Sequence, residues 1–127
     1  MTEANNPLLQ PWTHPQGLPP FALVQPEHFE PAFGVAMREE MAQVEAIANQ
    51  AEPPTFANTV QAFDRCGRLL TRTELLFQNL TYSHTNPALQ AVQRAMAPRL
   101  AARPRRCAWR IRRFSPPANR SRVWPRP

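Results

Sequence analysis

Apolar side chains recur along the middle of the chain with the spacing of helices. In the first run Phe33, Met37, Met41, Val44 and Ala48 return at steps of three and four, which places them on one helical face. Arg38, Glu39, Gln43 and Glu45 fall off that face. Pro26 or Pro31 suits the opening, because the first helical position has no amide partner to lose. Asn49 to Pro54 closes it, with Pro53 and Pro54 as breakers. A second helix is predicted after Thr55 or Asn58, both good caps. Phe56, Val60, Phe63, Cys66, Leu70, Phe77 and Leu80 line one face of it, to about Tyr82. Leu69, Leu75 and Leu76 widen that face, so cover on more than one side is expected. Gly67 inside it costs about 1 kcal/mol against alanine and is tolerable where a neighbouring helix comes close. Asn86-Pro87 signals a third helix, a cap followed by proline in the first turn. Leu89, Val92, Met96 and Leu100 make its stripe, and Pro98 should kink or shorten it.

These stripes predict an all-α fold, three helices packed as an antiparallel bundle over residues 26–102. A core drawn from about 75 helical residues is marginal alone, since small domains bury a smaller share of their surface. Residues 1–25 hold Pro7, Pro11, Pro15, Pro19 and Pro20, which rule out a long helix. They read as an extended arm laid over another surface, with Trp12, Leu18 and Phe21 as anchors. Residues 103–127 lose the apolar period, alternate arginine with apolar residues, and end in proline-rich sequence. Disorder is expected there.

Charge sharpens the boundary at Ala102. Residues 1–102 hold six arginines against nine acids, a net −3, while residues 103–127 hold nine arginines and no acid, a net +9. The overall +6 is the sum of two unlike materials. No stretch approaches the ~20 apolar residues of a membrane span. The N-terminus lacks the basic front and apolar run of a signal peptide, so the expected location is the cytoplasm. There Cys66 and Cys107 read as reduced thiols, with neither a disulfide framework nor a metal spacing.

Candidate chemistry is sparse. A zinc helix of the His-Glu-x-x-His kind needs two histidines one turn apart, and His14, His28 and His84 do not approach that spacing. They read as surface or cap residues. Glu39 and Glu40 are adjacent and point about 100° apart on a helix. Glu27 and Glu30 suit the positive end of the first helix dipole. No phosphate loop or nucleophile motif occurs, so no catalytic, metal or substrate-binding residue is assigned. Nine arginines with Trp109, Phe114 and Trp124 are the chemistry of a tail that contacts phosphates, bases or an anionic membrane. A small binding module using that tail is the alternative reading, although no specific nucleic-acid partner is indicated.

Several runs, in order, resemble the N-terminal region of the M3 family of zinc oligopeptidases, nearest its bacterial peptidyl-dipeptidase (Dcp) branch. They are Asn6-Pro-Leu-Leu, Gly17-Leu-Pro-Pro-Phe, Glu27-His-Phe-Glu-Pro-Ala-Phe, Ala46-Ile-Ala-Asn and Glu52-Pro-Pro-Thr-Phe-Ala-Asn-Thr. Gly67-Arg-Leu-Leu, Phe77-Gln-Asn-Leu-Thr, Thr85-Asn and Ala97-Pro-Arg-Leu-Ala-Ala follow, so the likeness covers about Asn6 to Ala102. The resemblance implies a much longer helical metallopeptidase whose two lobes enclose a channel for short peptides. Its zinc sits on a distant His-Glu-x-x-His helix, and the Dcp branch releases dipeptides from peptide C-termini. None of those ligands has a counterpart here. The expectation is a truncated, inactive N-terminal fragment, monomeric or prone to aggregate. Its arginine- and proline-rich tail has the composition that a frameshift in a GC-rich gene would give.

Overall fold

The computed structural model describes residues 5–102 of the chain. The arginine-rich segment from Arg103, expected to be disordered and out of frame, lies outside the described residues. Within them every regular element is helical: α1 (Phe29–Ala48), a π-helical stretch (Phe56–Gln61) running into the single turn α2 (Ala62–Arg65), α3 (Arg68–Ser83) and α4 (Pro87–Ala101). Short 3-10 turns at Pro15–Gly17 and Pro26–His28 precede α1. The all-α architecture follows the sequence pattern.

The caps explain where the elements begin. Asn86 has extended backbone, and its Oδ1 accepts from the Leu89 amide at 2.9 Å, with Pro87 opening α4. Thr55 and Asn58 cap each other: the Asn58 amide donates to Thr55 Oγ1 at 3.1 Å, and the Thr55 amide donates to Asn58 Oδ1 at 2.7 Å. This is a capping box with asparagine in the reciprocal role. At Pro26–His28 the Gln25 amide donates to His28 Nδ1 at 3.0 Å. Pro98 does not end α4, which continues to Ala101. It forgoes only the bond of its own missing amide to the preceding turn, while Met96 is fully buried and Leu100 packs on the core.

The core lies where α1 crosses α3. Phe29, Phe33 and Phe77 form a triad with ring centres 5.0 Å (Phe29–Phe77), 5.5 Å (Phe33–Phe77) and 6.3 Å (Phe29–Phe33) apart. Phe77 meets both partners edge to face, the arrangement that the ring quadrupoles favour. Ala32 and Ala36, both buried, let the neighbouring chain approach, and Leu8, Leu70, Leu76, Leu89 and Met96 close the cluster.

The second stripe departs from expectation. The helix foreseen from Thr55 to Tyr82 is broken at Cys66–Gly67, where Cys66 is extended (ψ 146) and Gly67 is left-handed (φ 69). A neighbouring helix does come close there: a Cβ on Gly67 would stand 2.6 Å from Glu40 Oε1 of α1. The Gly67 amide donates to Gln43 Oε1 at 2.9 Å, so the break leaves that buried donor satisfied. The turn also swings the front of the stripe off the core, leaving Phe56 68 % and Val60 52 % exposed. Of the residues that widen the stripe, Leu76 is buried and Leu69 packs against the core as expected, whereas Leu75 is 63 % exposed.

The arm also differs. It lies against this bundle's own core, and its deepest anchor is Leu8, which is wholly buried. Asn6, itself buried, sets that register: Nδ2 donates to the His28 carbonyl at 2.8 Å, and Oδ1 accepts from the Leu8 amide at 3.0 Å. Trp12 packs against the core as foreseen. Leu18 and Phe21 are largely exposed, because left-handed backbone at Gln16 and Gly17 (φ 65 and 69) turns the chain away.

Candidate functional surface

The histidines are placed for structure. His28 is buried at the head of α1, and its Nδ1 is occupied by the Gln25 amide. His14 precedes the Pro15–Gly17 turn and His84 follows α3; both are exposed. Among the described residues no group of three or more His, Cys, Asp or Glu side chains is placed to hold a metal ion. The residues described therefore do not fit a zinc site.

The carboxylates likewise serve the helices. Glu27 and Glu30 stand in the opening turns of the Pro26–His28 segment and α1, where the dipole favours negative charge. Glu39 accepts from Gln43 Nε2 at 2.9 Å across one turn, while Glu40 packs under Gly67. Cys66 is half-buried, its Sγ donating to the Ala62 carbonyl at 3.3 Å. No helix is long and apolar enough to cross a membrane, among the described residues.

Arg72 is a polar side chain that the sequence pattern does not single out. From α3 its Nη2 donates to the Leu8 carbonyl at 2.7 Å and to the Gln10 carbonyl at 3.3 Å. Its guanidinium carbon lies 4.5 Å from the centre of the Trp12 ring. Burial lowers the Arg72 pKa, and the nearby charge of Glu39 partly restores it. Its place off the apolar stripe gives no hint of this role. The one advance signal lies at the other end, in the run Asn6-Pro-Leu-Leu.

Hollows mark the surface of the described residues. One, of about 350 Å³, lies between the end of α1 and the following segment, lined by Val44, Ile47, Ala48, Pro53, Pro54 and Phe63 among others. A more open groove of about 770 Å³ runs beside Met37, Met41, Arg38 and Glu45 of α1 to Arg99 and Ala102 at the end of α4. The first is mostly apolar, with Gln50, Glu52 and Thr59 also in its lining, the character of a surface that receives other side chains.

No protein-family profile matches the chain. It is 36 % identical over 99 residues to the dipeptidyl carboxypeptidase of Salmonella typhimurium, a match covering 78 % of this chain and 15 % of that protein. It is 36 % identical over 96 residues to the dipeptidyl carboxypeptidase of Escherichia coli, covering 76 % of this chain and 14 % of that protein. The chain thus spans about one seventh of the length of the curated relatives it matches. Over roughly three quarters of its length, then, this chain is similar to the dipeptidyl carboxypeptidases of these two bacteria, as its resemblance to the M3 oligopeptidases led us to expect.

Proposed function

We propose that the chain is the N-terminal part of an M3-type zinc metallopeptidase of the dipeptidyl carboxypeptidase kind, acting on short peptides in the cytoplasm. In this reading α1, α3 and α4 build part of the lobe that walls the peptide channel. The zinc and the groups that work with it belong to the much longer remainder. These 127 residues alone hydrolyse no peptide. The observation that carries the reading is the lopsided match: most of this chain aligns with a small part of each peptidase. The absence of any His-Glu-x-x-His run agrees with it. The composition change at Arg103 favours out-of-frame translation from there on, and sequencing the gene through that junction decides the point.

Activity is tested by incubating the purified chain with zinc and a blocked tetrapeptide and following release of the C-terminal dipeptide. No turnover above buffer is expected. Turnover abolished by a chelator would overturn the proposed division of labour. Salt-dependent binding of a single-stranded oligonucleotide, lost on deleting Arg103–Pro127, would favour a binding module instead.

A further inference from the structure

We propose that the face formed by Phe56, Val60 and Phe63, with the apolar hollow beside it, seats the part of the peptidase polypeptide that lies beyond the matched stretch in the relatives. This rests on the function proposed above and names the surface that such an assembly uses. Phe56 and Val60 are more than half exposed and Phe63 is 41 % exposed, although their spacing is that of a buried stripe. The hollow of about 350 Å³ is walled chiefly by hydrocarbon. Contiguous exposed apolar surface marks a place where other side chains dock, so a hollow of this character beside three uncovered stripe residues points to cover supplied from elsewhere.

The extent of the match names the supplier. A stretch of 99 residues within a chain of 127 must include everything from Phe29 to Arg99, wherever it begins. Phe56, Val60 and Phe63 therefore lie inside the homologous region. The relatives carry the other 85 % or so of their length beyond that region, since the match covers 15 % of it. A body of that size, joined to these helices in one protein, is the available source of apolar side chains. The Gly67 break fits this arrangement, because it turns the stripe outward while keeping its own amide bonded to Gln43.

The decisive experiment is a chimera in which Phe29–Arg99 of this chain replaces the matching stretch of the Escherichia coli dipeptidyl carboxypeptidase. Phe63→Asp should lower the melting temperature of the chimera by several degrees more than that of the isolated 127-residue chain, where Phe63 is already 41 % exposed. Gln93→Asp, on the exposed side of α4, should move neither. Equal shifts from Phe63→Asp in both contexts overturn the proposal. So does a concentration-dependent dimer of the isolated chain that Phe63→Asp abolishes, which would give the face to a second copy. Should the chimera not fold, the full chain is co-expressed with the Escherichia coli polypeptide lacking its matched stretch. Co-purification weakened at least tenfold by Phe63→Asp supports the surface, and none with the unaltered chain overturns it. A chimera sensitive to Phe63→Asp that hydrolyses no peptide would sink the proposed function and leave the surface standing. An active chimera indifferent to the change would do the reverse.

Discussion

The Arg72 guanidinium lies over the face of Trp12, 4.5 Å from the ring centre, and so fastens α3 to the N-terminal arm. The same group donates to the Leu8 and Gln10 carbonyls, so one side chain holds the arm on both sides of Pro11. A planar guanidinium can stack and donate together, which an ammonium cannot do with the same geometry. Arg72→Ala should destabilise the chain by about 2–3 kcal/mol, from the cation–π contact and the charged hydrogen bonds lost. Arg72→Lys should recover only part of that. Urea denaturation measures both, and cleavage after Trp12 by a dilute protease should quicken in the alanine variant. Unchanged stability in both variants would show that the arm needs no such fastening.

Asn6 uses both ends of its amide, donating to the His28 carbonyl and accepting from the Leu8 amide. Asn6→Asp keeps the acceptor but turns an oxygen toward the His28 carbonyl oxygen. Loss of this buried bond should destabilise the chain by about 1–3 kcal/mol at neutral pH. Because the aspartate would carry a buried charge there, lowering the pH enough to protonate it should return part of the loss. A variant as stable as the parent at every pH would contradict the role given to Asn6.

At Gly67 a side chain meets two obstacles, left-handed backbone and the Glu40 carboxylate. Gly67→Ala should cost about 1–2 kcal/mol from the backbone alone, with a further penalty from displacing Glu40. A double-mutant cycle with Glu40→Ala separates them: the second substitution should relieve the contact and leave the backbone penalty. Full recovery in the double variant would mean that the left-handed conformation matters little.

Asn86 is the simplest case. Asn86→Ala removes the acceptor of the Leu89 amide and should cost about 1 kcal/mol, whereas Asn86→Asp should be nearly neutral. Thermal unfolding followed by circular dichroism at 222 nm distinguishes them, and an alanine variant as stable as the aspartate one would discount the cap.

What the sequence made legible were the features written locally. The stripe of α1, the Asn86-Pro87 start and the Thr55/Asn58 caps each depend on neighbours within a turn or two, and each appears where the pattern places it. The second helix was misjudged because period alone cannot distinguish a glycine inside a helix from one that breaks it. That choice is made by Glu40 and Gln43, distant in sequence and invisible to a local window. Leu8 and Arg72 were missed for the same reason, since a carbonyl held by a side chain from α3 leaves no periodic trace. The absence of a histidine pair at metal-ligand spacing was plain from the letters alone, while the apolar hollow beside Phe63 exists only because the chain turns at Gly67.

The aromatic triad sets an order on synthesis. Phe29 and Phe33 leave the ribosome early, but the ring that completes their packing is Phe77, near the middle of α3. Until that residue emerges, the apolar face of α1 has only Leu8 of the arm and Leu70 to cover it, and chaperones of the nascent chain can reach what stays bare. Met96 and Leu89 arrive later still to close the cluster. Ribosomes stalled before Phe77 should therefore display an α1 whose apolar face is incompletely covered.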